Sequence, residues 1–200
     1  GFSGNPYDAK EDRTYSMDVL PQEFPVSGNG DFRSPALIIK NADGSCSCDL
    51  RYKTHHIQSG KYKLPGLPAV YAGKEESETL EVVLEDAVAG VEVCLLYGVL
   101  PEYDIITRSV KIRNDGSQEF SIEKVQSASL DFVAGRYDLI TFYGRHAMER
   151  NFDRRFLGHG AQVIRSRRGT SSHQYNPVMI LAEEGTTEDA GKCYTMSFVY

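Results

Sequence analysis

The chain has 200 residues, with 22 Lys and Arg against 28 Asp and Glu and a net charge of −6. That length suits one large β domain or two small ones, and the acidic balance argues against a phosphate-binding surface and hence against nucleic acid. No run approaches the roughly 18 apolar residues of a membrane helix, and no charged-then-apolar signal segment opens the chain.

The opening residues Gly1-Phe2-Ser3-Gly4-Asn5-Pro6 read as loop, which implies a piece cut from something longer, with any targeting segment removed. Residues 1–35 stay loop-rich because Pro6, Pro21, Pro25, Pro35 and the Gly28-Asn29-Gly30 turn break every run. Leu20, Phe24 and Phe32 are expected to anchor this arm to the body.

From Ala36 strand follows strand. Ala36–Ile39, an Asp43-Gly44 turn and Cys48–Thr54 predict a hairpin, because Asp-Gly supplies the positive φ a tight turn needs. Leu80, Val82 and Leu84 share one face, and Val91, Val93, Leu95 and Tyr97 repeat the two-residue period. Ile106, Arg108, Val110 and Ile112 do so again, and Phe120–Gln126 is expected to continue the meander after Asn114-Asp115-Gly116. Further strands are expected at Leu139–Tyr143, Gln162–Arg165, Val178–Leu181 and Cys193–Val199. Met148, Phe152 and Phe156 suggest a short helical stripe. About ten short strands with no long 3.6-residue pattern predict an all-β fold of stacked antiparallel sheets.

Cys46, Cys48, Cys94 and Cys193 lack the spacing of a secreted disulfide framework. Cys46 and Cys48 would share one strand face, poor geometry for a bridge, so all four read as reduced, consistent with cytoplasm. Cys46, Cys48 and the His55-His56 pair lack zinc spacing, so no metal site is assigned; no cofactor is implied either.

Arginine is uneven: seven of the thirteen fall between Arg145 and Arg168, with no lysine among them. Planar forks suit carboxylates and carbonyls in fixed geometry, so the stretch reads as an ion-pair lattice with Glu149 and Asp153, a domain interface, or a sugar-facing wall. Ser172 and His173 are adjacent and would point apart in an extended chain, without a Gly-x-Ser-x-Gly elbow. Side chains bonding backbone across a loop explain them better than a nucleophile and its base. No carboxyl pair for glycoside hydrolysis is recognisable.

The stretch Arg167-Arg168-Gly169-Thr170-Ser171-Ser172-His173-Gln174-Tyr175-Asn176-Pro177 is polar except for Tyr175, between two apolar runs. It predicts either a hydrogen-bonded layer or a face turned to a polar ligand or another domain. Its wording resembles a signature of the N-terminal domain of bacterial glycoside hydrolase family 36 α-galactosidases. Asp12–Ser16, Pro21–Pro25 and Gly30–Ala36 resemble the same domain, so the likeness spans most of residues 2–200. The family's tryptophan near position 146 is missing; Arg145-His146 stand there.

The resemblance implies an antiparallel β-supersandwich related to galactose mutarotase, truncated at both ends. It implies a parent enzyme acting on galactosides such as melibiose and raffinose, with both catalytic aspartates in a following (β/α)₈ barrel that is absent from this chain. This piece would then be non-catalytic, pack on the barrel and support a homotetramer. Its N-terminal loop would reach a neighbouring active site, with Arg13 as the substrate-binding residue. Two alternatives stand beside it: a mutarotase-type enzyme using a carboxylate and one of His146, His159 and His173, or a stand-alone carbohydrate-binding module. Free-thiol titration under denaturing conditions, without reductant, is expected to find all four cysteines; a count that rises on reduction overturns the reduced reading.

Overall fold

Alternating apolar residues bury one side chain in two, and in the computed structural model that pattern becomes ten strands among the described residues. Residues 21–28, 30–66, 70–132 and 135–199 are described. The strands are β1 (Leu37–Asn41), β2 (Arg51–Ser59), β3 (Glu78–Asp86), β4 (Val91–Leu100), β5 (Ile105–Asn114), β6 (Phe120–Val125), β7 (Tyr137–Arg145), β8 (Met148–Phe156), β9 (Val178–Glu183) and β10 (Cys193–Ser197). Every pair among these strands is antiparallel, and the fold is all-β. The described residues divide into two compact units, the first running to Leu64 and from Val70 to Asp131, the second from Phe132 onward with Pro65–Gly66.

The first unit holds a four-stranded sheet, β2-β3-β4-β5, and a two-stranded sheet, β1-β6. Leu37 and Ile39 of β1 are fully buried with Val91, Val93 and Leu95 of β4, and Phe24, Val26 and Cys48 complete that core. Burying a Leu or Ile side chain contributes about 1.5–3 kcal/mol, so this small cluster carries much of the unit's stability. The opposite face of β4 is covered too. The Tyr62 ring lies across Gly98, where a Cβ would crowd Thr107 Oγ1 and the ring itself. Tyr62 N–H donates to Thr79 Oγ1 at 2.8 Å, and its hydroxyl meets Ser109 Oγ at 2.9 Å.

Four expectations are corrected. The Asp43-Gly44 turn forms, with Asn41 N–H donating to Ser45 O at 2.8 Å, but its flanks are no hairpin: β1 pairs with β6 and β2 with β3. After the turn, Cys48 N–H bonds Ser27 O, and the chain crosses to the other sheet. Phe120–Val125 therefore closes on β1 instead of extending the meander. Met148, Phe152 and Phe156 lie on strand β8, since a spacing of four keeps residues on one face of a strand as well as of a helix. Residues 162–165 form no strand, and Val163 is 73% exposed.

Two smaller readings also change. Phe24 is buried as expected, but Phe32 is 86% exposed. Asp31 turns inward and Arg33 grips it, Nε to Oδ1 at 3.1 Å and Nη2 to Oδ2 at 2.8 Å. Leu20 lies outside the described residues. The cysteines are free, with Cys46 and Cys193 exposed and Cys48 buried. Cys46 and Cys48 stand on the chain before β2, not on a shared strand face. Burial, then the Asp86 charge, pushes the Cys48 thiol up to about 12.

Asp86 ends β3 and ties the β3–β4 turn to the chain before β2. Its Oδ1 accepts Val88 and Ala89 N–H, both at 2.9 Å, and its Oδ2 accepts Asp49 N–H at 2.8 Å. Burial opposes its charge, but these donors outweigh burial and hold the carboxyl below its usual value. A depressed carboxyl stabilises the fold above its unfolded pKa and loses that contribution as pH falls through the folded one. Asp86→Ala, which strands three donors, is expected to cost about 1–3 kcal/mol at neutral pH. In urea titrations the gap between variant and parent should shrink below pH 3.8; a gap independent of pH rules out the ionised carboxylate as its source.

Candidate functional site

The second unit is one sheet in the order β10-β9-β7-β8. On one face, Phe132, Tyr137 and Tyr194 meet edge to face, with centroids 5.1 to 6.3 Å apart. Strand β8 lies at the sheet edge, and its hairpin with β7 is irregular: Tyr143 pairs with Asn151, yet Arg145 pairs with Met148. Strand β8 thus carries one extra residue, a bulge. Ala147 and Arg150 take positive φ values of 63° and 55° there, conformations that cost a non-glycine residue free energy and gather at functional sites. Gly144 is required at this point, because a Cβ would run into the Met148 carbonyl oxygen.

The polar stretch folds back on this hairpin. Ser166 Oγ donates to Thr170 O at 2.6 Å and accepts Arg168 N–H at 3.2 Å. Tyr175 N–H donates to Ser172 O at 3.1 Å, closing a turn with His173 and Gln174 at its tip, and Asn176 N–H pins the segment to Phe142 O at 3.2 Å. Ser166 thus bonds backbone across the loop, but the bond that the sequence predicts for Ser172 is not made among the described residues. Two buried polar atoms of this segment, Ser172 Oγ and Asn176 Nδ2, have no hydrogen-bond partner among the described residues.

Beside the turn opens a cavity of about 500 Å³ lined by Tyr143, Gly144, Arg155, Gln174 and Tyr175. Arg155 is oriented by Asp153, whose Oδ2 accepts from its Nε at 2.9 Å and also from its Nη2. Arg154 is held by Asp138 and by Thr186 O, both at 2.7 Å. The expected lattice is therefore partial. Asp153 takes part, but Glu149 spends its Oε1 on Ala147 N–H at 2.8 Å. Arg150, Arg165, Arg167 and Arg168 are exposed, with no ion pair among the described residues.

The hydrolytic and isomerase readings find little here. Ser172 Oγ is buried while His173 is exposed, so the two do not form a nucleophile and base. His146, His159 and His173 are all exposed. The Ala147 N–H bond, chief among several causes, holds the Glu149 carboxyl below its usual range, the His173 charge adding less. Among the described residues no three of His, Cys, Asp and Glu gather to hold a metal. Arg13 lies outside the described residues. No helix among the described residues is long and apolar enough to cross a membrane.

The first unit holds a feature that sequence reading passed over. The Arg108 guanidinium stacks 3.8 Å from the centre of the Tyr97 ring, and its Nη2 lies 3.0 Å from Glu23 Oε1. That approach is an ion pair without hydrogen-bond geometry, and among the described residues Nε, Nη1 and Nη2 are buried without an acceptor. Tyr97 donates its hydroxyl to Glu23; burial, then that bond, pushes the phenol well up. The signal was present: Arg108 alternates with Val110 and Ile112, both half-buried against the core.

Residues 2–200 match the family model described as the glycosyl hydrolase family 36 N-terminal domain. Over its whole length the chain is 62% identical to the bifunctional alpha-galactosidase/sucrose kinase AgaSK of Mediterraneibacter gnavus and covers 21% of it. It is 46% identical to the alpha-galactosidase AgaA of Geobacillus stearothermophilus and covers 27% of that protein. The crystal structure of the GH36 alpha-galactosidase AgaB from Geobacillus stearothermophilus superposes on all of this chain with a TM-score of 0.91 at 46% identity, and 27% of that structure is matched. The chain thus spans between 21% and 27% of the length of these relatives.

Arg108→Met removes three buried donors that have no acceptor among the described residues while keeping most of the volume over Tyr97. It is expected to change stability by less than about 1.5 kcal/mol, in either direction. Arg108→Ala also uncovers the ring and should cost more. Urea midpoints measure both, and an equally large loss in the two variants means that the guanidinium is fully bonded in the folded protein.

Proposed function

Since the chain belongs to the glycosyl hydrolase family 36 N-terminal domains, we propose that it is a non-catalytic part of an α-galactosidase whose (β/α)₈ barrel lies in the remainder of the parent. The family match from residue 2 to residue 200, with relatives that are themselves α-galactosidases, carries the reading. Hydrolysis of terminal α-galactosides such as melibiose and raffinose is the activity proposed for that parent. Retaining hydrolysis needs two carboxyls about 5–5.5 Å apart across the sugar. The cavity of the second unit is lined by phenols, a carboxamide and a guanidinium instead. The role of this chain is to pack on the barrel and support a homo-oligomer. Arg13 extends to the active site of a neighbouring subunit, where a planar fork suits vicinal sugar hydroxyls. In support, the AgaA enzyme has been crystallised with stachyose and with raffinose.

The chain alone is expected to hydrolyse no α-galactoside, while the full-length parent does. In the parent, Arg13→Ala should lower kcat/KM by roughly ten- to a hundredfold. The same change in the isolated chain should leave stability within about 0.5 kcal/mol. Turnover by the repurified chain that a substitution in it abolishes would overturn the non-catalytic role. Normal kinetics in the Arg13→Ala parent would overturn the role of Arg13.

A further inference from the structure

The cavity beside the 172–175 turn has a chemistry that the family reading does not use. Tyr143 and Tyr175, both about half exposed (48% and 50%), present phenol rings and hydroxyls. Gln174 adds a carboxamide, so these three side chains can each donate and accept. Arg155 brings little net charge, because Asp153 takes both its Nε and its Nη2. What remains is Nη1 and the second Nη2 hydrogen as donors, with a carboxylate beside them that disfavours an anion. Gly144 keeps one wall bare, since no side chain fits against the Met148 carbonyl. A volume of about 500 Å³ falls within the range of small-ligand sites, roughly 300–1,000 Å³.

A neutral ligand rich in hydroxyls meets these conditions. Its hydroxyls both donate and accept, and the carbon faces of its ring can lie on the phenols. We propose that this cavity binds a neutral saccharide, with Tyr143 and Tyr175 as the stacking rings and Gln174 and Arg155 as the hydroxyl partners. The choice of an α-galactoside within that class rests on the family reading; binding of a neutral saccharide does not. The exposed Arg165, Arg167 and Arg168 in the neighbouring segment make a phosphate the competing ligand.

The test is a titration of the isotopically labelled chain, followed by amide NMR, with raffinose, with maltose and with inorganic phosphate. Raffinose should give saturable shifts at Gly144, Gln174 and Tyr175, with a Kd on the order of 1 mM. Tyr175→Ala and Gln174→Ala should each weaken binding by about tenfold, the effect of removing one stacking ring or one hydrogen bond to the sugar. Tyr175→Phe, which keeps the ring, should lose less than Tyr175→Ala. Both positions are exposed, and unchanged amide spectra elsewhere check the fold of each variant. No saturable shift with either sugar, displacement by phosphate, or variants that bind like the parent would each overturn the site. Binding of maltose with no response to raffinose upholds a saccharide site and overturns the choice of galactoside. Hydrolysis by the full-length enzyme is read separately, so the two proposals fail independently.

Discussion

Coverage of β4 on both faces is the constraint on which the first unit depends. Val91, Val93 and Leu95 face β1, while Leu96 and Leu100 are buried on the other side. A strand covered twice cannot be an edge, because its backbone groups would lose water without gaining partners. It is accordingly flanked along its length by β3 and β5, in registers without a break. Glu92 is the exception that this burial must accommodate, at 6% exposed. Lys53 approaches its Oε2 at 3.1 Å and Arg113 its Oε1 at 2.6 Å, so the carboxylate is compensated from both neighbouring edges.

Arg108 is less well served on the opposite face. It lies at an inward position beside Val110, and what receives it is an aromatic ring and one carboxylate oxygen. A cation over a phenol face gains electrostatically, yet buried donors without acceptors cost stability. The same unit thus contains one buried charge held by two ion pairs and another held mainly by a ring. Its edges are tied by Asp86 and by Arg33, which joins Asp31 to Asp131 at 2.8 Å and so fastens the irregular segment before β1 to the end of the unit.

The second unit works differently, because its last strand is an irregular edge. The bulge in β8 sets Gly144 opposite a carbonyl and turns the hairpin tip, and the 172–175 turn is hung on Phe142 by one backbone bond. Together these expose Tyr143, Gln174 and Tyr175 around a shared opening. An ordinary β7–β8 hairpin would have no bulge and no required glycine. The local distortion, rather than the sheet, makes the cavity.

Two-residue alternation was enough to determine an all-β fold and to locate nine of the strands, because burial of every second side chain is a local property. The family was legible as well, in the eleven residues from Arg167 to Pro177, because a long polar string of fixed wording is improbable by chance. Pairing was not legible. An Asp43-Gly44 turn specifies a reversal, but whether its flanks pair depends on which sheet buries Leu37 and Ile39 better. Period alone could not assign residues 148–156, since a spacing of four fits one face of either a strand or a helix; only pairing with β7 decides it. Residues 162–165 had the strand pattern and no partner strand. The candidate site was half visible: Gln174 and Tyr175 stood in the polar stretch, and Arg155 in the arginine-rich one. Their meeting with Tyr143 over Gly144 required the bulge, which is a relation between two strands and is written in neither of them alone.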